Sequence, residues 1–231
     1  MSDSAFYLTE LYPLQDQVLR VITDCGTEFY LTGGTALSRG YLNHRFSDDL
    51  DLFVNRASAR AADPQFARWC DEIISVLGAS PVWQANVTLR QDYFMRILLT
   101  SAGGTPLKLE FVNDVPSHLG DIRLHPILGR LDSPENIFVN KITALRDRDA
   151  PRDLADMWSL HKRFAFSIED AIVGAKTKAS GTYHAELSKR LCTATLADWK
   201  AVRWIDPPDP DQYLTDLVQL GEQLIFTDSG K

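Results

Sequence analysis

Cysteine is scarce. The chain has three, Cys25, Cys70 and Cys192, with no CxxC spacing among them. That excludes a disulfide framework and points to a reducing cytosol. Long apolar runs are missing as well: no stretch approaches the ~20 residues of a membrane helix, so no membrane partner is expected. Met1-Ser2-Asp3-Ser4 carries neither a basic region nor an apolar run, so no secretory leader is expected. Basic residues are in deficit, 24 Lys and Arg against 31 Asp and Glu, for a formal net charge of −7. An acidic chain is not a general nucleic-acid coat, although a local basic patch can still grip a phosphate or an RNA end. Internal repeats and low-complexity tracts are also lacking. What remains is ordinary globular composition, 45% hydrophobic over 231 residues, enough for one large domain or two small ones.

The chain changes character along its length. Leu11 to Cys25 places Leu14, Val18, Leu19 and Ile22 at helical spacing, with Pro13 near the start and Gly26 at the end. Glu28 to Leu31 predicts a strand, Ala36 to Leu42 a short helix, and Asp49 to Val54 a second strand. Asp63-Pro64 marks a helix start, with helix from Gln65 to Leu77 closed by Gly78. Val82–Arg90, Tyr93–Thr100 and Thr105–Val112 predict three more strands, the last two joined by the turn signal Ser101-Ala102-Gly103-Gly104. From Ser133 onward the pattern is helical: 134–148, 152–163, 168–177, 183–192, 196–202 and 210–226. Strands mixed with helices, then helices alone, predict an α+β domain over residues 1–130 and a helical domain over 131–231.

The stretch from Phe29 to Phe53, FYLTGGTALSRGYLNHRFSDDLDLF, holds the first chemical signal. It reads as strand, glycine turn, helix and acidic strand. Gly33 and Gly34 let backbone N–H groups approach a ligand, and a helix start attracts phosphate. Asp49 and Asp51 alternate with apolar residues, so in a strand they point the same way, ~7 Å apart. Two carboxylates embedded among Leu50, Leu52 and Phe53 are costly unless something cationic lies between them. Mg²⁺ or Mn²⁺ suits such hard oxygen ligands. Lys108-Leu109-Glu110-Phe111 adds an acid in a later strand, with Lys108 on the same face. By itself that is a Lys–Glu surface pair. Joined to Asp49 and Asp51, Glu110 completes a set able to hold two metal ions.

This combination resembles the nucleotidyltransferase superfamily with the polymerase-β-like palm: glycine turn and helix, DxD on the next strand, a third acid on a later one. More narrowly, GGTALSRGYLNHRFSDDLDLF is similar to the AbiEii/AbiGii-type nucleotidyltransferase toxins. Glu135 to Lys141, Ala144-Leu145-Arg146 and Arg152-Asp153 to Asp156 follow in the order that family uses. The resemblance covers about residues 29 to 160. One position departs from it: the family often has an aspartate three residues before the lysine, and here that residue is Phe138.

The resemblance implies a polymerase-β-like nucleotidyltransferase palm, a mixed sheet with flanking helices, followed by a C-terminal helical domain. It implies transfer of a nucleoside monophosphate from an NTP to an acceptor, an RNA end such as tRNA, in a toxin with a cognate antitoxin. Asp49, Asp51 and Glu110 would hold the metal ions, with Glu110 on the nucleophile side. Gly33, Gly34 and Thr35 would hold the triphosphate, with Ser47, Arg45 and Lys108 as further phosphate contacts. Lys141 would meet the β- and γ-phosphates, and Arg152 and Asp153 join the nucleotide set. Bland roles compete: Arg45 pairing with Asp48, His44 as a turn residue, Asp153 charge-matching a helix start, and a structural Asp156. Lys176, Lys178, Lys189, Arg190, Lys200 and Arg203 form a basic stretch, either a solvated helix face or an RNA platform. Two further readings stand beside the RNA-directed enzyme: a nucleotide-binding regulatory module without turnover, and O-nucleotidylation of a small molecule such as an aminoglycoside.

Overall fold

The computed structural model describes residues 3–57, 64–181 and 183–228. Met1, Ser2 and Asp63, on which the leader and helix-boundary readings partly fall, lie outside them. The chain divides into two compact units, one of residues 1–41 and 46–133, the other of residues 42–45 and 134–231.

The first unit is a mixed sheet with helices. A short helix α1 (Asp3–Phe6) and a π-helical turn (Tyr7–Leu11) lead into α2 (Tyr12–Asp24). Leu14, Val18, Leu19 and Ile22 are buried along one stripe of α2, as the 3.6-residue period requires. Gly26 follows with φ +67°, a conformation that glycine adopts without Cβ strain. Then come β1 (Tyr30–Thr32), α3 (Gly33–Leu37) continued by a π-helical turn (Ser38–Leu42), β2 (Leu50–Asn55), and α4 (Pro64–Gly78). The strands β3 (Trp83–Gln91), β4 (Phe94–Ser101) and β5 (Pro106–Asp114) form a meander. A small hairpin, β6 (Arg123–His125) and β7 (Gly129–Leu131), completes the sheet.

The strand order is β3-β4-β5-β2-β1-β7-β6. β2 runs antiparallel to β1 and parallel to β5, so it lies mid-sheet between the glycine turn and the third acid. Its burial alternates strictly: Leu50, Leu52 and Val54 are buried, Asp51, Phe53 and Asn55 half-buried. β5 alternates likewise, with Leu107, Leu109 and Phe111 buried against Lys108 and Glu110. That period-2 pattern puts one apolar face into the core and leaves the acids on the other.

Three expectations shift. The first strand runs from Tyr30 to Thr32 rather than from Glu28, and α3 begins at Gly33 itself. Asp49 precedes β2, which starts at Leu50. The β6–β7 hairpin is absent from the sequence reading, because strands of three residues are too short to display an alternating pattern.

The second unit is helical: α5 (Pro134–Asp147), α6 (Pro151–Phe164), α7 (Ile168–Lys178), α8 (His184–Cys192), α9 (Leu196–Ala201) and α10 (Pro210–Asp228). α5 packs on α6, α7 and α8, while α10 packs on α8 and α9. The caps follow local chemistry. Ser167 accepts from Asp170 N at the start of α7, and Thr195 with Asp198 forms a capping box on α9. Among the described residues no helix is long and apolar enough to cross a membrane.

Candidate active site

One line of paired residues crosses the sheet of the first unit. Thr32 pairs with Asp51, Asp51 with Glu110, Glu110 with Arg96, and Arg96 with Leu89. Adjacent strands lie about 4.8 Å apart, so Asp51 and Glu110 are direct neighbours on the non-core face. A bulge in β3 between Val87 and Leu89 brings Leu89 opposite Arg96.

Cations already sit among these acids. Lys108 Nζ lies 3.0 Å from Asp49 Oδ2 and 3.2 Å from Glu110 Oε1. Arg96 donates to the same Glu110 oxygen, from Nε at 2.8 Å and from Nη2 at 2.7 Å. Partial burial works against the Lys108 charge, but Asp49 and Glu110 outweigh it and hold the ammonium pKa above its ordinary value. Among the described residues, no three His, Cys, Asp or Glu side chains cluster closely enough to hold a metal ion. The donor chemistry is nonetheless suited to one. Asp49 and Glu110 focus hard oxygens on a single cationic point, and Asp51 is the register neighbour of Glu110.

The glycine turn has a steric cause. Gly33 has φ +67°, and a Cβ there would overlap the Asp51 carboxylate. Glycine thus lets the backbone between β1 and α3 rest directly on Asp51. Two residues on, Thr35 Oγ1 donates to Asp49 O at 2.5 Å and lies 3.0 Å from Ser47 Oγ. Thr35 and Ser47, expected at the phosphates, are here joined to each other and fix the loop before β2.

That loop has further anchors that the sequence reading missed. Gln15 Nε2 donates to Ser47 O at 3.3 Å and Asp48 O at 2.9 Å. Tyr7 donates to the Asp48 carboxylate and stacks on Phe46, with ring centroids 4.3 Å apart. The available signal was Gln15 itself, a polar residue within the buried stripe of α2. A buried amide needs partners, and here it finds two carbonyls.

The second unit contains a charge cluster. Asp156 is fully buried. It accepts from Arg45 Nε at 2.6 Å and Nη2 at 2.7 Å, pairs with Lys141 Nζ at 2.6 Å, and meets His44 Nε2 at 2.8 Å. Asp153, also fully buried, takes Lys141 Nζ at 2.8 Å and Arg148 Nε at 2.7 Å. Burial alone would raise both carboxyl pKa values. Arg45 and Lys141 overcome it at Asp156, as Lys141 and Arg148 do at Asp153, so both lie below the usual range.

The cluster revises several expectations. Arg45, expected at Asp48 or at a phosphate, gives its fork to Asp156. His44 is a partner of Asp156 rather than a simple turn residue. Asp153 does lie in the first turn of α6, where a carboxylate is favourable, and its oxygens also serve Lys141 and Arg148. Arg152 is exposed. Phe138 is buried and packs against Phe166, with ring centroids 5.5 Å apart. Where the family often has an acid, this chain therefore has a core residue. Of the basic stretch, Arg190 is paired with Asp149 and Asp198, while Lys176, Lys189, Lys200 and Arg203 are exposed.

A mixed sheet with a glycine turn seated on a DxD strand, and a third acid on the parallel neighbour, defines an α+β nucleotidyltransferase fold. Residues 19–222 match the family described as the nucleotidyl transferase AbiEii toxin of type IV toxin–antitoxin systems, and the chain belongs to that family. It is thus a nucleotidyltransferase of a toxin family. Its fold is similar to MenT4, a nucleotidyltransferase toxin from Mycobacterium tuberculosis H37Rv, with TM-score 0.64 at 15% identity over 93% of this chain and 82% of that one. It is also similar to JHP933 from Helicobacter pylori, with TM-score 0.61 at 21% identity over 94% and 92% of the two chains. No curated protein matches the chain in sequence.

Proposed function

We propose that this chain moves a nucleoside monophosphate from an NTP to a hydroxyl at an RNA end, such as that of a tRNA, as the toxin partner of a cognate antitoxin. The observation that carries the reading is the line Thr32–Asp51–Glu110 with Gly33 resting on Asp51. It gathers acids and close-approach backbone at one place on the sheet.

Asp49 and Asp51, joined by Glu110, would hold Mg²⁺ or Mn²⁺. A divalent ion bound there would offset charge on the triphosphate and acidify the attacking hydroxyl. The backbone N–H groups at Gly33 and Gly34 hold the triphosphate, and Lys108 contacts a phosphate oxygen as a point charge. Thr35 and Ser47 keep the loop and Asp49 in place. The acceptor oxygen attacks the α-phosphorus, the bond to the bridging oxygen breaks, and pyrophosphate leaves. The hydroxyl proton passes to the Glu110 carboxylate. Lys141, which the family resemblance implies at the β- and γ-phosphates, is buried here and held by Asp153 and Asp156.

The test is an acceptor screen. Each α-labelled NTP is incubated with the chain and Mg²⁺ against tRNA, a protein extract and aminoglycosides. Label in tRNA supports the reading. Saturable NTP binding without transfer would replace it with a regulatory module, and label only in aminoglycosides would replace the acceptor.

A further inference from the structure

Asp49 lies before β2 and Glu110 on β5, yet both reach one ammonium, Lys108 Nζ, at 3.0 and 3.2 Å. Lys108 stands two residues before Glu110 on the same face of β5, and its side chain is 31% exposed. Half-buried carboxylates so close together repel unless a cation separates them. In this structure that cation is supplied by the chain. It stands at the point shared by two of the acids that the proposed function assigns to metal.

We infer that Lys108 is a resident counter-cation, which a divalent ion displaces from Asp49 and Glu110, and which then turns to the triphosphate arriving with that ion. The inference rests on the nucleotidyl-transfer reading above. Lysine suits the exchange: its charge is compact, its stem flexible, and its three donors carry no fixed direction. Arg96 does not suit it. Its planar fork binds Glu110 Oε1 through two nitrogens and stacks over Phe94, 5.3 Å from the ring centroid. Arg96 therefore holds Glu110 in place while Lys108 leaves.

Two consequences follow. Without nucleotide, metal binding is weakened by competition with the ammonium. With nucleotide, the released ammonium gains a phosphate partner, so metal and NTP bind cooperatively through this residue.

The experiment measures Mn²⁺ binding to the nucleotide-free full chain, by electron paramagnetic resonance of free Mn²⁺ and by calorimetry. Wild type is compared with Lys108→Met, Lys108→Gln, Lys108→Arg, Asp49→Asn and Asp51→Asn, each checked for folding by circular dichroism. Lys108→Met and Lys108→Gln are expected to bind Mn²⁺ about tenfold more tightly, through the loss of one competing ammonium with its two partly exposed ion pairs. Lys108→Arg, whose fork releases the carboxylates less readily, binds Mn²⁺ more weakly than wild type, as do the two asparagine variants. In melting experiments Mn²⁺ raises the midpoint of Lys108→Met more than that of wild type. If the asparagine variants lose Mn²⁺ but folded Lys108→Met and Lys108→Gln bind it no tighter than wild type, the exchange is wrong and the metal assignment stands. If the asparagine variants bind Mn²⁺ as wild type does, the metal assignment fails and takes the exchange with it.

Discussion

Gly33 rests so closely on Asp51 that a methyl group at its Cα would overlap the carboxylate. Gly33→Ala therefore meets two obstacles, the side chain of Asp51 and a φ of +67°. Together they are expected to cost about 1–3 kcal/mol of stability. Nucleotidyl transfer should fall further than stability, because the carboxylate that moves aside is the proposed metal ligand. Urea unfolding and a transfer assay on the same sample check both.

Thr35 links α3 to the loop that carries Asp49. Thr35→Val removes the bond to Asp49 O and the contact with Ser47. The expected loss is about 1 kcal/mol of stability, with transfer lowered about tenfold or more by a displaced Asp49. Thr35→Ser keeps the hydroxyl and should restore most of both. Equal loss in the valine and serine variants would show that the hydroxyl does not position the loop.

The buried cluster of Asp156, Asp153, Arg45 and Lys141, with the exposed Arg148 paired to it, governs stability in acid. Both carboxyl pKa values are lowered by folding, so their contribution is complete above the unfolded carboxylate value of about 4. It is lost as pH falls through the lower folded values. Urea midpoints should thus be steady from about pH 7 to 5 and drop below about pH 4.

Asp156→Asn removes the buried carboxylate that Arg45 and Lys141 share, at an expected cost of about 3–5 kcal/mol. Lys141→Met should cost less, because Arg45 still serves Asp156 and Arg148 still serves Asp153. Chemical denaturation of both variants at neutral pH gives the order directly.

Much of this was legible in residue order. The stripe of α2, the alternation of LDLFV and LKLEF, and the helical run after Ser133 each follow from periodicity over enough residues to be seen. The glycine turn and the DxD pattern carried the family, which the match over residues 19–222 shows. What stayed hidden depends on distance along the chain. Arg45 finds Asp156 111 positions away, and His118 and Thr32 both hold Asp132, the latter from 100 positions away. No local pattern announces such pairs. The same holds for Arg96: its spacing from Glu110 becomes meaningful only once β4 and β5 are in register. Phe138 was visible as a departure from the family, but its place in the core emerged only with the packing of the second unit.

The most direct test of the central claim is transfer of label from an α-labelled NTP to tRNA by wild type, Asp49→Ala and Asp51→Ala in Mg²⁺, with folding of all three verified. The account predicts label in tRNA with the wild type and a loss of at least about a thousandfold in each variant, in line with removal of a ligand to the ion that would offset the transition-state charge. Transfer that persists in both alanine variants would contradict it.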